Sequence, residues 1–201
     1  MMVRTGWLAT AAALAMMTAT SAAAQRFSEG YRYIEAVRKA DGAEVTKILN
    51  NPSSRIIDAR TDTGEGALHI VAKRSDPTYL GFLLSRGANP NLQDGQGDTP
   101  LMAALQVSFL SGVETLIARK ADVNLANNSG ETPLIRAVQL RNLEAVQMLL
   151  AAGADPDKTD NVAGMSARDY ARVDTRAPAI SKLLADAPKV QRRAAAGPKL
   201  R

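Results

Sequence analysis

The stretch NNSGETPLIRAVQLRNLEAVQMLLAAGADPDKT, residues 127–159, decides the fold of this chain. Thr132 is a good helix N-cap, and Pro133 follows at the first helical position, where its missing N–H costs nothing. Apolar residues then recur at helical spacing, and a second apolar stripe begins at Leu143. Gly153 stands where a C-terminal helix cap is expected. The stretch therefore predicts a helix, a tight turn, a second helix and a polar loop.

Neither predicted helix is long enough to be stable alone in water, so the unit needs a copy of itself to stack on. Copies occur along the chain at a regular interval, the length of the stretch itself. Thr99–Pro100–Leu101 lies one interval before Thr132–Pro133–Leu134, and Gly66–Ala67–Leu68–His69 lies one interval before that. A slightly longer step forward reaches Gly164–Met165–Ser166–Ala167. The second helix repeats in phase at Leu83–Leu84, Leu116–Ile117 and Leu149–Leu150.

A 33-residue period with this internal anatomy resembles the ankyrin repeat. The family pattern Gly-x-Thr-Pro-Leu-His-x-Ala is matched by residues 130–137 (GETPLIRA) and 97–104 (GDTPLMAA), and loosely by 64–71 (GEGALHIV). The resemblance covers roughly residues 28–187. It implies an all-α ankyrin-repeat solenoid of helix-turn-helix units with hairpin-like loops, about five repeats including degenerate caps.

The expected domain is divided into five units, at about 28–60, 61–93, 94–126, 127–159 and 160–187. The first unit lacks the Thr-Pro-Leu-His pattern, and it is either a degenerate N-terminal capping repeat or an unrelated helical hairpin. The last unit combines an apolar side with a polar side, as a C-terminal cap should. Lys120 stands where the family usually has glycine after the second helix, so either its backbone is left-handed or the loop differs locally.

The two ends of the chain carry different signals. Residues 1–24 have the charge, apolar core and small-residue cleavage pattern of a bacterial secretory signal peptide, cut before Gln25. The alternative is an uncleaved membrane anchor. Residues 188–201 form a basic tail that cannot bury a core, and we expect it to be disordered. We expect a periplasmic or secreted monomer with no membrane span after cleavage and no nucleic-acid partner.

The composition excludes several kinds of catalytic or metal site. The chain has no Cys, which excludes disulfides, thiol nucleophiles and cysteine metal sites. Its one His, His69, falls on the His position of the repeat pattern, which in the family bonds to neighbouring loops. One His supports neither a Ser-His-Asp site nor a His-rich zinc site. Residues 155–160 lack the spacing of a calcium loop, and Asp94 and Asp98 are interpreted as solvated charges in a turn. No catalytic residue, cofactor or metal is expected.

The family resemblance implies a module that binds another protein on the concave face of the solenoid. The alternative is a small-ligand-binding or enzymatic protein with an unrecognised site. The repeat register places eight candidate partner-binding residues at equivalent positions of four units: Arg38, Lys39, Lys73, Arg74, Gln106, Val107, Gln139 and Leu140. Among these eight positions, positive charge is confined to the first two units, whereas the loop tips are acidic at Asp62, Glu65, Asp94, Asp98 and Glu131. This predicts an acidic partner, unless the basic residues only solvate helix ends.

Overall fold

A computed structural model describes residues 29–51 and 56–188 of the chain. The helical segment α1 covers 29–38. The helices that follow are α2 Gly42–Leu49, α3 Ala67–Lys73, α4 Pro77–Ser85, α5 Pro100–Gln106, α6 Leu110–Ala118, α7 Pro133–Gln139, α8 Leu143–Ala151, α9 Ala167–Val173 and α10 Pro178–Asp186. The predicted signal peptide and the basic tail beyond residue 188 lie outside the described residues. No helix within the described ranges is long and apolar enough to cross a membrane.

The predicted helix starts are confirmed at the two Thr-Pro pairs. The Thr99 hydroxyl accepts a hydrogen bond from the Met102 N–H at 3.3 Å, and the Thr132 hydroxyl accepts one from the Ile135 N–H at 3.2 Å. Proline follows each threonine at the first helical position. Both threonines are buried, so each capping bond satisfies a backbone donor that water cannot reach.

The helices form two rows. The inner row runs through α3, α5, α7 and α9, and the outer row through α4, α6, α8 and α10, with neighbours in each row in contact. A continuous core of buried Leu, Val, Ile and Ala side chains lies between the rows. Tyr33 and Val45 bring the first unit into this core. The all-α repeat solenoid predicted from the sequence is confirmed.

Four hairpin loops precede the inner helices, at residues 61–65, 94–98, 127–131 and 160–165. Successive loops are joined by backbone hydrogen bonds: Gly95 N–H to Thr63 O at 2.9 Å, Asn128 N–H to Gln96 O at 3.0 Å, and Asn161 N–H to Ser129 O at 2.8 Å. Gly97 has φ +80°, and a Cβ there would lie 2.6 Å from the Asn128 nitrogen. Glycine is therefore required both for the turn and for the approach of the next loop.

Of the two alternatives for Lys120, the left-handed backbone is the one observed. Its φ is +64°, close to the values of +89° and +87° at Gly87 and Gly153 in the equivalent positions. A lysine therefore adopts a conformation that glycine reaches at no steric cost. The last unit retains an apolar side, because Ile180 and Leu184 are buried against the core.

Candidate interaction surface

The eight candidate residues lie where the inner helices end. Helices α3, α5 and α7 end at Lys73, Gln106 and Gln139, and the second residue of each pair is the C-cap. The residue after each pair has a left-handed backbone in all four units, at Ala40, Ser75, Ser108 and Arg141. The four pairs are therefore structurally equivalent, as the repeat register predicts. Whether these residues contact a partner stays a prediction.

The basic side chains of the first two units are mostly engaged with acidic neighbours. Arg38 donates to Glu35 at 3.0 Å, and Lys73 forms an ion pair with Glu65. The hydrogen bond from Lys73 lowers the pKa of Glu65 below its ordinary value. The side chains of Arg38 and Lys73 are nevertheless 47% and 51% exposed. Their charges are thus paired but remain accessible from solvent.

Arg74 differs from the other candidates because its guanidinium is used inside the molecule. It donates to the Val37 carbonyl at 2.8 Å and to Asp76 at 3.1 Å. It also lies over the Tyr79 ring, 5.2 Å from the ring centroid, where a cation is attracted by the π-system. Arg74 therefore joins the first unit to the outer helix of the second.

The candidates of the third and fourth units present a neutral surface. Gln106 and Gln139 are exposed, and Val107 and Leu140 are 41% and 39% exposed although both are large apolar residues. Together with Lys73 and Val173, the equivalent of Gln139 in the last unit, these residues form what we call the turn side. It follows the ends of the inner helices where they turn into the outer helices.

A second surface, which we call the loop side, comprises His69, Asp98, Glu131 and Arg136. Arg136 donates to the two carboxylate oxygens of Asp98 at 2.7 and 3.1 Å, and to those of Glu131 at 2.5 and 3.0 Å. Asn127 donates to both carboxylates as well. The interpretation of Asp98 as a solvated charge is therefore wrong, because its carboxylate ties the loop 94–98 to helix α7 of the next repeat.

Arg136 is held tightly in this network. Its side chain is only 13% exposed. Burial alone would lower the pKa of Arg136, but the hydrogen bonds to Glu131 and Asp98 outweigh it and raise the pKa above the ordinary value. One guanidinium serves two carboxylates, so the cluster keeps a net negative charge. The cluster holds two adjacent repeats together, and neither carboxylate is free to bind a ligand without breaking its bonds to Arg136.

His69 completes the loop side. Its Nδ1 accepts from the Gly66 N–H at 3.1 Å, so the ring proton is on Nε2, which donates to the Asp98 carbonyl at 2.9 Å. Burial lowers the pKa of His69, against the opposing effect of the bond to Asp98. The structural role expected for this histidine is confirmed, since it fixes its own helix start and binds the next loop.

Sequence reasoning missed the role of Arg136. The signal was present, because Glu65, Asp98 and Glu131 occupy the same position in three successive repeats, immediately before each helix cap. An acidic residue at that place in three units needs a cation nearby if it is partly buried. Lys73 meets the first of these carboxylates and Arg136 the other two.

One cleft lies beside the turn side. It has a volume of about 410 Å³ and lies between the ends of α7 and α9, against Gln139, Tyr170 and Val173. The Tyr170 hydroxyl donates to Asp160 at 2.5 Å, which fixes that wall of the cleft. Within the described ranges, no group of three or more His, Asp or Glu side chains could hold a metal ion.

Comparisons with known proteins agree with this geometry. The family model described as "Ankyrin repeats (3 copies)" matches residues 34–127 and 68–160. The Drosophila melanogaster protein "Nuclear factor NF-kappa-B p110 subunit" is 39% identical over 54 residues, which is 27% of this chain and 6% of that protein. The Homo sapiens protein "Neurogenic locus notch homolog protein 4" is 54% identical over 43 residues, which is 21% of this chain and 2% of that protein.

Proposed function

The chain belongs to the ankyrin repeat family, and from this premise we propose that it is a non-catalytic module that binds one protein partner on its concave face. Ankyrin repeats generally mediate protein–protein interaction, and stacked repeats expose an extended concave surface for it. The matched relatives are much longer proteins, so their activities are not carried over. The proposal places the partner on the turn side of the inner row.

The observation that carries this proposal is the exposure of the turn side in successive units. Lys73, Gln106 and Gln139 are exposed at equivalent positions, one repeat apart. Buried polar groups of the loop side already have partners within the molecule, so a ligand there would have to break existing bonds. A partner on the turn side displaces water and, at Lys73, the half-exposed ion pair with Glu65.

The finer proposal is that the partner is acidic. Arg38, Lys39 and Lys73 are exposed in the first two units. Ion pairs between exposed side chains are weak, so carboxylates of a partner can replace Glu35 and Glu65. Such complementarity raises the association rate and fixes the register of the partner more than it adds affinity.

The test compares how charge substitutions of a glutamine on the inner row and on the outer row change the affinity for a partner. A partner captured with the purified chain is titrated against Gln139→Glu and Gln139→Lys on the turn side, and against Gln147→Glu on the outer helix α8, where Gln147 is also exposed. We expect Gln139→Glu to weaken binding, Gln139→Lys to strengthen it, and Gln147→Glu to change nothing, because like charges across an interface repel. An effect confined to Gln147→Glu would contradict the proposal.

We also propose that the protein acts outside the cytoplasm. The support is the order of charged, apolar and small residues in positions 1–24. The mature protein is then expected to begin at Gln25, and N-terminal sequencing of the protein from its native host checks this. An intact Met1 on a membrane-bound protein would show that the segment is an anchor.

A further inference from the structure

Exposed apolar side chains are concentrated at one part of the surface. Within the described residues, six large hydrophobic side chains are exposed, and four of them lie where an inner helix turns into an outer helix in the last three units: Val107, Leu140, Leu143 and Val173. Val173 is the most exposed of the four, at 64%, and lines the 410 Å³ cleft. Exposed apolar residues that cluster in this way mark interaction sites more often than chance.

The rim of this cleft carries an excess of positive charge. Arg141 donates to Asp174 at 2.6 Å, and Arg176 donates to the same carboxylate at 3.2 Å. Two guanidinium groups thus share one carboxylate, and the side chain of Arg176 is 73% exposed. An arginine in this position has donors left for a further carboxylate, because the guanidinium carries five N–H groups.

We propose that this cleft binds a large apolar side chain of an acidic, amphipathic helical segment of the partner, whose carboxylates pair with Arg141 and Arg176. This inference rests on the proposed function and names the partner's chemistry at one end of the turn side. A cleft of about 410 Å³ is at the small end of ligand pockets, which suits one or two side chains. Val107 and Leu140 continue the apolar surface toward the basic first units.

A helical segment fits the spacing of this surface. Equivalent residues of adjacent repeats are separated by about 8–10 Å, the usual distance between packed helices. An α-helix rises about 1.5 Å per residue, so about five to seven residues cover that distance. A helix with apolar residues at this spacing and acidic residues beside them can therefore contact the cleft and Leu140 at the same time.

The experiment uses four synthetic peptides of about 15 residues, the length at which an isolated helix begins to form in water. They combine an apolar face of Leu or of Ala with flanking Glu or Lys, and fluorescence anisotropy gives the affinity of each for the purified protein. We expect the Leu/Glu peptide to bind about tenfold more tightly than the Ala/Glu peptide, because a buried Leu is lost in the latter. The Leu/Lys peptide should bind still more weakly.

Protein variants locate the binding site. Val173→Ser should weaken the Leu/Glu peptide about tenfold, since it removes an apolar contact. Val162→Ser is the matched control, because Val162 is 80% exposed at the tip of the loop 160–165. Arg176→Ser should weaken the same peptide and reduce the salt dependence of its binding. Both valines are surface residues, and unchanged thermal unfolding verifies that each variant is folded.

Three results would overturn the inference. The first is equal binding of the Leu/Glu and Leu/Lys peptides, and the second is an equal effect of Val173→Ser and Val162→Ser. In the third, no peptide binds. If a captured partner still responds to Gln139→Glu in any of these cases, only the cleft assignment fails and the proposed function stands. If that partner responds only to Gln147→Glu, the proposed function fails as well.

Discussion

The loop side and the turn side belong to the same row of inner helices but use their polar residues in opposite ways. On the loop side, hydrogen bonds join adjacent repeats: His69 donates to the Asp98 carbonyl, and Arg136 donates to the Asp98 carboxylate. The Arg136 side chain is almost inaccessible to solvent. On the turn side, Gln106 and Gln139 face water. One part of the surface holds the repeats in register, while the other is available to a partner.

The difference follows from the cost of removing charge from water. A partly buried carboxylate or guanidinium is tolerated only when it is paired and hydrogen-bonded, so the loop-side residues depend on each other. Exposed residues of the turn side have no such requirement. Substitutions on the loop side should therefore change stability, and substitutions on the turn side should change binding.

The largest effect is expected at Arg136. Arg136→Met leaves the carboxylates of Asp98 and Glu131 without their common partner, and we expect the free energy of unfolding to fall by about 2–4 kcal/mol. Arg172→Met is the control, since the Arg172 side chain is 74% exposed and its ion pair with Asp169 lies at the surface. Arg172→Met should lower the free energy of unfolding by less than about 0.5 kcal/mol. Urea denaturation of both variants measures the difference.

Equal stability losses for Arg136→Met and Arg172→Met would show that the network on the loop side is not structural. A double variant with Asp98→Asn sharpens the result. If the two residues act as a pair, removing both should cost less than the sum of the single losses.

The next largest difference in stability is expected between substitutions at the middle and at the end of α7. Ala137 is fully buried between helices, so Ala137→Leu should overpack the core and lower the free energy of unfolding by about 1–3 kcal/mol. Leu140 is 39% exposed on the turn side, and Leu140→Ala should cost less. Midpoints of urea unfolding decide the order. A greater loss for Leu140→Ala would mean that the turn side is part of the core.

The sequence predicted the features that depend on residues close together in the chain. Thr132 and Pro133 specify a helix start over a few residues, and the backbone at Lys120 follows from its place after a helix. The repeat period extended these local predictions to the solenoid. The equivalence of the four candidate pairs also follows from that period, because each pair ends the same helix of its own unit.

Contacts between repeats were harder to predict. Arg136 is far from Asp98 in sequence, in the next repeat, and the repeat pattern gives no rule for which side chains meet across that separation. The repeat register groups Arg74 with Lys73, yet the end of the helix directs Arg74 to Val37 and Tyr79. Side-chain direction at a helix end depends on the backbone of the turn, which composition does not reveal.

A smaller effect is expected from pH at the loop side. The pKa of His69 lies below its ordinary value of 6.5, because burial disfavours the charged ring. The folded state thus favours neutral His69. The contribution of His69 to the free energy of unfolding is complete above pH 6.5. It is lost as the pH falls toward the pKa of His69 in the folded state.

The measurement is the free energy of unfolding of the wild type and His69→Gln between about pH 7 and 5, around the ordinary pKa of histidine. His69 is the only histidine in the chain, so the wild type should lose more stability over this interval than the variant. Parallel pH profiles would show that His69 contributes no pH dependence to the stability, and that its bonds to Gly66 and Asp98 do not favour the neutral ring in the folded state.

The smallest effect on stability, and the one that isolates function, is expected at Lys73 on the turn side. The Lys73 side chain is 51% exposed, so losing its ion pair with Glu65 in Lys73→Ser should cost less than about 0.5 kcal/mol. Arg74→Ser is the contrasting variant, and it should destabilise the protein because it removes contacts with Val37 and Asp76. Association of an acidic partner should nevertheless slow in Lys73→Ser. That slowing should fade as salt is raised, because exposed charges are screened beyond about 8–10 Å at roughly 0.1–0.15 M ionic strength. An association rate that ignores both the substitution and the salt would remove Lys73 from the binding surface.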